Sequence, residues 1–523
     1  MGFKTDTRSK KQRRKGPYPY SVLDRNALTE SLEEAGISLK RVHLDGFYQS
    51  LHRQHYPPLD KFVETYYKHE RKEVNEEDDP AMSKPLKNPV SNRKNKNRLQ
   101  LPKAFLNFLQ KTPDFATMTT RIQQKMVSAD GSTTKLIVEL HDGQVVESVL
   151  MRYDRKGAGR ASLCVSSQVG CAMGCTFCAT GTMGLFGNLT TAEILEQMIH
   201  ANNILAAEYE AREDKSKKLD LVRNVVFMGM GEPLDNYNNV VAACRAMMDR
   251  KRWNLAHGRI TVSTVGLISQ IRKLTKELPE VSLALSLHAP NQDARTAIVP
   301  TATRYPIEQL IDALDNHMMA YLTKREGESY TTEERIKEST RRRAMIEYVM
   351  LEGETSSIEC AHQLGKLCEN RHLVVNLIPY NATDVKDKLQ CPSNEHMQRF
   401  RDIVASYGTF CTIRRTMGAD IASACGQLVQ KTKDEEAEAA MGAAAVDIED
   451  VVGGSRSSRS APDPTSAVSS DLASPGASSS NNDSWLGSVS NEKLETWSNI
   501  LVIAATVSAS CFVLSTAFSL RRR

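Results

Sequence analysis

Four cysteines lie close together in LCVSSQVGCAMGCTFC, residues 163–178. Cys171, Cys175 and Cys178 follow the spacing C-x3-C-x2-C, and Cys164 stands apart from them. Thiolates hold zinc ions and iron–sulfur clusters. A structural zinc site takes four ligands, usually from two separated C-x2-C pairs, and the sequence has no second pair. Three thiolates in one loop instead leave one iron of a four-iron cluster open to a small molecule.

S-adenosylmethionine (SAM) suits such an iron because its amino and carboxylate groups can chelate the metal. An electron from the cluster can then break the sulfonium bond of SAM and produce a 5′-deoxyadenosyl radical. The spacing of the three cysteines resembles that of the radical SAM superfamily. We therefore predict a [4Fe–4S] cluster on this loop, shielded by Phe177. A zinc-dependent interaction module is the alternative, and its ligand count is incomplete.

A repeating pattern around this loop predicts the elements that position it. Short apolar strands alternate with helical stretches through residues 154–431, as in a parallel sheet with crossover helices. We predict an α/β fold with a partial (β/α)6 barrel, whose chemistry lies at the carboxyl ends of the strands. The six predicted strands are SLCVSS (162–167), VRNVVFMGM (222–230), RITVSTVG (259–266), VSLALSLHA (281–289), AMIEYVML (344–351) and HLVVNLIPY (372–380).

The segments outside this repeat are predicted to have other roles. Residues 20–153 are typical of a small α+β accessory domain, with a charged insertion near 71–99 whose basic residues suit phosphate backbones. Residues 1–19 are predicted to be a basic disordered arm, and basic arms suit phosphate backbones. The Ser- and Pro-rich residues 432–498 predict a disordered linker. Residues 499–520 are apolar and long enough for a C-terminal transmembrane anchor.

Composition limits the location of the protein. The 523 residues carry a net charge of +5, and eleven cysteines are scattered along the chain. The sequence lacks the apolar run of a secretory signal near its start, so we expect a reducing, cytoplasmic compartment for the catalytic part. The candidate anchor would tether that part to a membrane.

Polar residues follow several of the predicted strands and are candidates for binding SAM. In VFMGMGEPL, glycine allows a close approach of backbone to ligand, and a carboxylate can accept hydrogen bonds from an ammonium group. Taken singly, each of these residues is more typical of a structural turn or a buried polar group, and their positions after the strands of the repeat favour binding. The candidate SAM contacts are Gly231, Glu232, Ser263, Ser286, Leu287, His288 and Asn381.

Seven segments in order resemble the dual-specificity RNA methyltransferase family, which methylates carbon 2 of adenine in large-subunit ribosomal RNA and in transfer RNA. The resemblance covers residues 20–430. Two charged insertions, at residues 210–218 and 324–343, depart from the bacterial pattern, as do the linker and the anchor. The segments are LCVSSQVGC, MGMGEPL, STVG, SLHAPN, IEYVML, NLIPYN and DIASACGQL.

The resemblance implies a role for two further cysteines. Cys425, in DIASACGQL after the apolar FCTIRR, would be methylated by one SAM, and a second SAM would supply the radical that activates this methyl group. The carbon would then join adenine, giving a covalent protein–RNA adduct. Cys164 would release the product by attacking Cys425 and forming a disulfide. Glu147, in VVESVL, matches the family's proton acceptor, although Cys164 is a second candidate for that step.

The resemblance also implies two partners, RNA and an electron donor such as flavodoxin or ferredoxin. The enzyme itself is expected to be a monomer. Two alternatives stay open from the sequence. A related enzyme methylates carbon 8 of the same adenine with nearly identical machinery. An inactive, membrane-tethered RNA-binding protein could retain the cluster alone, but the presence of all five cysteines argues against it.

Overall fold

A computed structural model of the chain describes residues 19–76, 101–153, 160–212, 221–324, 344–371, 373–383, 389–424 and 426–428. Four predicted features lie wholly or largely outside these ranges: the basic arm, the charged insertions, the linker 432–498 and the candidate anchor 499–520. Cys425 also lies outside them. No helix among the described residues is both long and apolar enough to cross a bilayer.

Four helices open the described chain: α1 (Arg25–Glu34), α2 (Arg41–Arg53), α3 (Leu59–Glu76) and α4 (Lys103–Lys111). Their apolar faces meet around Phe47, whose ring packs edge-on against Phe62 and Phe105. All three rings are fully buried. Aromatic packing of this kind joins α2, α3 and α4 through their apolar faces.

Fourteen strands are described, and ten of them form one sheet. Strands β1 and β2 pair with each other, and so do β7 and β8. The strands are β1 (Tyr20–Ser21), β2 (Phe115–Ala116), β3 (Arg121–Val127), β4 (Thr133–Glu139), β5 (Val145–Tyr153), β6 (Arg160–Cys164), β7 (Gln168–Cys171), β8 (Gly184–Asn188), β9 (Val222–Phe227), β10 (Ile260–Thr264), β11 (Ser282–Ser286), β12 (Met345–Met350), β13 (Val374–Pro379) and β14 (Phe410–Ile413).

The parallel part of the sheet runs β6-β9-β10-β11-β12-β13-β14, so each new strand lies beside the one before it. This is the winding of a (β/α) barrel, here left open, and it brings the carboxyl ends of all seven strands to one edge. The α/β class and the six predicted strands are confirmed. The seventh parallel strand is β14, the FCTIRR segment that leads toward Cys425.

Strands β3, β4 and β5 are antiparallel and extend the same sheet from β6. The accessory region therefore contains a hairpin of β4 and β5. The sheet is continuous across the predicted domain boundary at residue 153. Consequently the accessory strands and the parallel strands share one backbone hydrogen-bond network.

Helices connect successive parallel strands of the sheet. Helix α6 begins with a capping box in which Thr190 and Glu193 exchange side-chain to backbone hydrogen bonds, a typical start signal. The helices that follow the accessory region are α5 (Ala179–Thr182), α6 (Thr191–Glu210), α7 (Tyr237–Met248), α8 (Ile268–Glu277), α9 (Gln292–Ile298), α10 (Ile307–Lys324), α11 (Ile358–Cys368) and α12 (Asn394–Ser406).

Candidate active site

The cysteine loop lies between β7 and β8, directly after the first parallel strand. Cys171 is the last residue of β7, and Cys178 precedes α5 as its N-cap. Gly170 has φ +72°, and a Cβ there would lie 1.9 Å from the Gly184 carbonyl oxygen, so only glycine fits. The hairpin thereby holds the loop in a tight curve at the edge where the parallel strands end.

The three predicted cluster ligands come together in this loop. Burial raises the pKa of Cys171 to about 12 and that of Cys175 well above its ordinary value, and the neighbouring thiols raise both further. Buried thiols that disfavour one another's ionisation need a bound cation to become thiolates. The donor set thus fits a metal group.

The spacing of these thiols favours a cluster over a single ion. Among the described residues, no three Cys, His, Asp or Glu side chains converge closely enough to hold one metal ion. A four-iron cluster makes a different demand, because each thiolate binds its own iron. The three thiols of the loop therefore fit a [4Fe–4S] group.

Arg295 is a buried cation near this loop that the sequence did not single out. Its side chain donates hydrogen bonds to the carbonyls of Leu287 and Val265, at 3.0 and 2.6 Å. Burial lowers its pKa to about 10, while the Cys175 charge opposes that shift. Only the fold, which turns α9 back over the end of β11, brings this guanidinium toward Cys175.

The glycines of the GMGEP segment are explained by packing. A Cβ on Gly229 would lie 2.7 Å from the Val165 carbonyl oxygen, and one on Gly231 would lie 2.4 Å from the Cβ of Gln168. Gly231 also has φ +97°, where side chains are strained. These glycines let the ends of β6 and β9 touch. The role of Gly231 in binding SAM stays a prediction.

Glu232 crosslinks three strand ends beside the cysteine loop. Its two carboxylate oxygens accept hydrogen bonds from the N–H groups of Leu234 and Val265, both at 2.9 Å. Its own N–H donates to the side chain of Gln168. Burial raises the pKa of this carboxyl to about 7, although the hydrogen bonds oppose the shift. A carboxylate has about four acceptor positions, so with Leu234, Val265 and the Thr264 side chain as partners Glu232 can still accept a hydrogen bond from an ammonium group.

The other predicted SAM contacts also lie at strand ends. The hydroxyls of Ser263 and Ser286 are 3.1 Å apart across β10 and β11. Leu287 is fully buried, and its backbone N–H and C=O bond to Glu347 and Arg295. The backbone polar groups of Leu287 are therefore already hydrogen-bonded within the protein. Ser263 and Ser286, in contrast, have side-chain hydroxyls to offer to a ligand.

His288 has an unusual backbone and a defined tautomer. Its φ is +63°, uncommon outside glycine. Its Nδ1 accepts a hydrogen bond from the Val349 N–H, so the neutral ring carries its proton on Nε2. Burial lowers the pKa of His288 to about 3, which keeps the ring neutral. The ring stands edge-on to Phe177, at 4.8 Å between centroids.

A cavity opens at the same edge of the sheet, around Cys164. Cys164 ends β6, is 7% exposed, and lines this cavity together with Asn381. An adjoining cavity shares part of the wall and extends to the β3–β4 turn. The residues common to both cavities are Tyr153, Arg414, Arg415 and Met417, none of which the sequence had indicated.

The residues flanking Cys425 join this cavity to the cysteine loop. Ala424 lines the cavity that contains Cys164. The Gly426 carbonyl accepts a hydrogen bond from the Ala179 N–H, next to Cys178, at 2.9 Å. Both neighbours of Cys425 are thus fixed between the two sites that the predicted chemistry must connect.

Glu147, the predicted proton acceptor, lies on β5 and is buried. Its Oε1 is 2.9 Å from Nζ of Lys135 on β4. Lys135 pairs with Val149, and Val149 pairs with Cys164 in the next strand. Directly paired residues face the same side of a sheet, and so do residues two apart in one strand, such as Glu147 and Val149. Lys135, Glu147 and Cys164 therefore share one face.

The chain is similar to known methyltransferases over much of its length. Residues 165–324 match the model of the Radical SAM superfamily. The Ribosomal RNA large subunit methyltransferase N of Nitrosopumilus maritimus is 39% identical over 307 residues, which covers 58% of this chain and 79% of that protein. The Dual-specificity RNA methyltransferase RlmN of Psychrobacter arcticus is 40% identical over 310 residues, covering 58% and 72%.

A solved structure agrees with this relationship. The radical SAM methyltransferase from Sphaerobacter thermophilus matches with a TM-score of 0.59 and 32% identity, covering 79% of this chain and 100% of that one. The predicted family, fold class and cofactors, a [4Fe–4S] cluster and SAM, are confirmed at the level of the family. The chain belongs to the radical SAM RNA methyltransferases of the RlmN type.

Proposed function

We propose that this enzyme methylates carbon 2 of adenine in ribosomal RNA, transfer RNA or both, with Cys425 carrying the methyl group. The observation that carries the proposal is the position of Ala424 and Gly426, between the Cys164 cavity and the cysteine loop. A carbon carried by Cys425 must be activated on one side and delivered to a base on the other. The names of the relatives, which include a ribosomal RNA methyltransferase and dual-specificity RNA methyltransferases, support the substrate class.

In this proposal Cys171, Cys175 and Cys178 hold the cluster. When bound, the cluster and SAM supply the 5′-deoxyadenosyl radical. Glu232 accepts hydrogen bonds from the SAM ammonium group, and the Ser263–Ser286 pair and His288 offer O–H and N–H groups to the carboxylate and ribose. Phe177, whose ring stands edge-on to His288, would shield the cluster from water.

The remaining chemistry belongs to the cavity around Cys164. An adenine turned out of its stack enters there, as enzymes acting on bases require. The methyl carbon on Cys425 loses a hydrogen atom and forms a bond to carbon 2. Glu147 or Cys164 then takes the carbon 2 proton, and the one electron left on the ring must go to an acceptor, a role that a cluster held by Cys171, Cys175 and Cys178 would supply. Cys164 attacks the Cys425 sulfur, the bond from that sulfur to the transferred carbon breaks, and the carbon gains a proton to become the product methyl group.

The test is mass spectrometry of RNA after turnover by the anaerobically reconstituted protein with unmodified ribosomal and transfer RNA transcripts. We expect 2-methyladenosine in at least one RNA class, together with 5′-deoxyadenosine. Methylation at carbon 8 would replace this function with the alternative that the sequence left open. Failure to form 5′-deoxyadenosine would contradict the enzymatic proposal.

Cysteine variants assign the steps. Cys425→Ala is expected to abolish methylation, and Cys164→Ala is expected to trap the covalent protein–RNA adduct, because release needs the second thiol. Cys244→Ala is the matched control, since that cysteine is buried in α7, away from the strand ends. Multiple turnovers by either of the first two variants would contradict their roles.

We also propose an electron donor of the flavodoxin or ferredoxin type, a monomeric enzyme and a catalytic part in a reducing compartment. Residues 499–520 are proposed as a membrane anchor on the strength of their length and apolar composition. A fluorescent fusion of residues 490–523 tests that segment separately. Uniform cytosolic fluorescence would exclude the anchor and leave the enzymatic proposal unaffected.

A further inference from the structure

Lys135 is a buried cation for which the mechanism above has no role. Lys135 lies on β4 and Glu147 lies on β5. Both side chains are nearly inaccessible, at 7% and 5% exposed. An isolated buried ammonium group is costly, so such a lysine needs partners. Its ammonium group reaches two of them, and each leads to a part of the proposed chemistry.

The first partner is the candidate proton acceptor. Nζ of Lys135 is 2.9 Å from Oε1 of Glu147, a charge-assisted hydrogen bond inside the protein. A carboxyl group can accept a proton only while it is ionised, and burial alone favours its neutral form. An ammonium group at this distance favours the ionised form and fixes the direction in which the carboxylate points.

The second partner belongs to the segment that leads to Cys425. Nζ of Lys135 donates to the Ala422 carbonyl at 3.1 Å. Ala422 has φ +47°, a left-handed conformation that an alanine adopts only when its surroundings impose it. The same segment is held by the Asp420 carboxylate, which accepts a hydrogen bond from the Ala129 N–H at 2.8 Å.

The backbone of Glu147 is also fixed from the SAM side. Its carbonyl accepts a hydrogen bond from the Ser166 hydroxyl, and its N–H contacts the sulfur of Met230. The Met230 N–H in turn donates to the Ser166 hydroxyl. Only the carboxylate end of Glu147 therefore depends on Lys135 for its orientation.

We propose that Lys135 is a positioning residue that keeps the Glu147 carboxylate ionised and fixed on the sheet face that also carries Cys164, and that ties it to the segment leading to Cys425. This inference rests on the proposed function and deepens it. One ammonium group sets the proton acceptor and the methyl-carrying segment in a fixed relation. Lys135 itself need not touch the RNA.

The test compares Lys135→Met, Glu147→Gln and the double variant in the full-length, cluster-loaded protein with unmodified RNA transcripts. If Lys135 acts through Glu147, each single variant should lower product formation at least tenfold and raise the trapped adduct at least fivefold. The double variant should trap as much adduct as Glu147→Gln, within twofold, because the two residues act as a unit. Adduct is measured on denaturing gels and by mass spectrometry.

Amide hydrogen exchange provides a readout independent of activity. Lys135→Met should speed exchange in residues 418–424 several-fold, whereas Glu147→Gln should leave it unchanged, because the hydrogen bond to Ala422 survives. Lys135→Arg keeps the charge and should restore adduct resolution. Lys125→Met, an exposed lysine on neighbouring β3, is the matched control and should behave as wild type.

Several outcomes would overturn the inference. Wild-type turnover by Lys135→Met would do so, as would effects that multiply in the double variant. If Lys135→Met fails to fold, the double variant decides, because it removes both charges. A double variant that folds and traps adduct supports the inference. A double variant that fails to fold, although Glu147→Gln alone folds, contradicts it. If wild type forms neither 5′-deoxyadenosine nor methylated Cys425, the proposed function has failed instead.

Discussion

At the scale of single residues, the cysteine loop depends on charge as well as on ligand count. Two buried thiolates, Cys171 and Cys175, and the half-buried Cys178 would concentrate negative charge in a small volume together with a reducible cluster. Arg295 places a guanidinium near Cys175 and fixes it by hydrogen bonds to two strand-end carbonyls. A buried cation of this kind stabilises the more negative, reduced state of a cluster.

Arg295→Met is expected to lower the reduction potential of the cluster by about 60 mV, which corresponds to about 1.4 kcal/mol for one electron. The measurement is a redox titration followed by electron paramagnetic resonance, with iron content as a check on cluster assembly. Arg304→Met, an exposed arginine in the turn after α9, is the control. An unchanged potential at full iron content would show that Arg295 acts only through packing.

Gly231→Ala is expected to destabilise the fold and weaken SAM binding. A positive φ costs a non-glycine residue about 1–3 kcal/mol, and the close approach to Gln168 adds a similar overpacking cost. Gly353 has φ +115° with open space around it, so Gly353→Ala isolates the backbone cost. Thermal unfolding and SAM titration measure both effects. Equal losses of stability in the two variants would rule out the approach to Gln168 as a cause.

At the scale of elements, α6 is joined to the accessory region by a buried carboxylate. Oε2 of Glu196 accepts hydrogen bonds from the N–H groups of Thr119 and Thr120, at 2.9 and 2.8 Å. Burial raises the pKa of Glu196 to about 7 from its ordinary 4.5. The folded state therefore keeps this proton at pH values where the unfolded chain releases it.

The sign of the pH dependence follows from that difference. A raised carboxyl pKa contributes stability below about pH 4.5, and that contribution is lost as the pH rises through about 7. Glutamine does not titrate and can accept the same two hydrogen bonds. From pH 5 to pH 8, wild type should lose about 2–3 kcal/mol relative to Glu196→Gln, at about 1.4 kcal/mol per pH unit.

Denaturant unfolding at both pH values measures this change. Glu210→Gln, at the exposed end of the same helix, provides the control and should show a smaller pH-dependent difference. A pH-independent difference between wild type and Glu196→Gln would mean that the buried carboxyl group does not take up a proton on folding.

The sequence predicted the elements and the cofactors well because both signals are local. The C-x3-C-x2-C spacing and the strand–helix alternation need no knowledge of distant contacts. Lys135 and Arg295 could not be found that way. In TTKLIVEL the lysine is one charge in an apolar strand, and its meaning depends on the register that sets β4 beside β5. Arg295 belongs to a short helix whose direction only tertiary packing decides.

At the scale of the whole molecule, basic residues outside the described part are expected to add to RNA affinity. The first fifteen residues carry seven Lys or Arg and one Asp. Removing residues 2–18 should reduce the slope of log affinity against log salt by about 0.7 for each RNA phosphate that the arm neutralises. Turnover at saturating RNA should stay unchanged. A variant with glutamine at the seven positions keeps the length, and an unaltered salt slope would disprove the role of charge.

The unbroken sheet from β3 to β14 restricts how this enzyme can be shortened. In a chain that starts at residue 160, β6 would become an exposed edge strand. Its side chains, which are buried in the full protein, and its unpaired backbone groups would favour self-association. The same cut would remove Glu147 and Lys135. The smallest working unit must therefore retain strands that precede the radical SAM match, so catalysis and solubility require the same piece of chain.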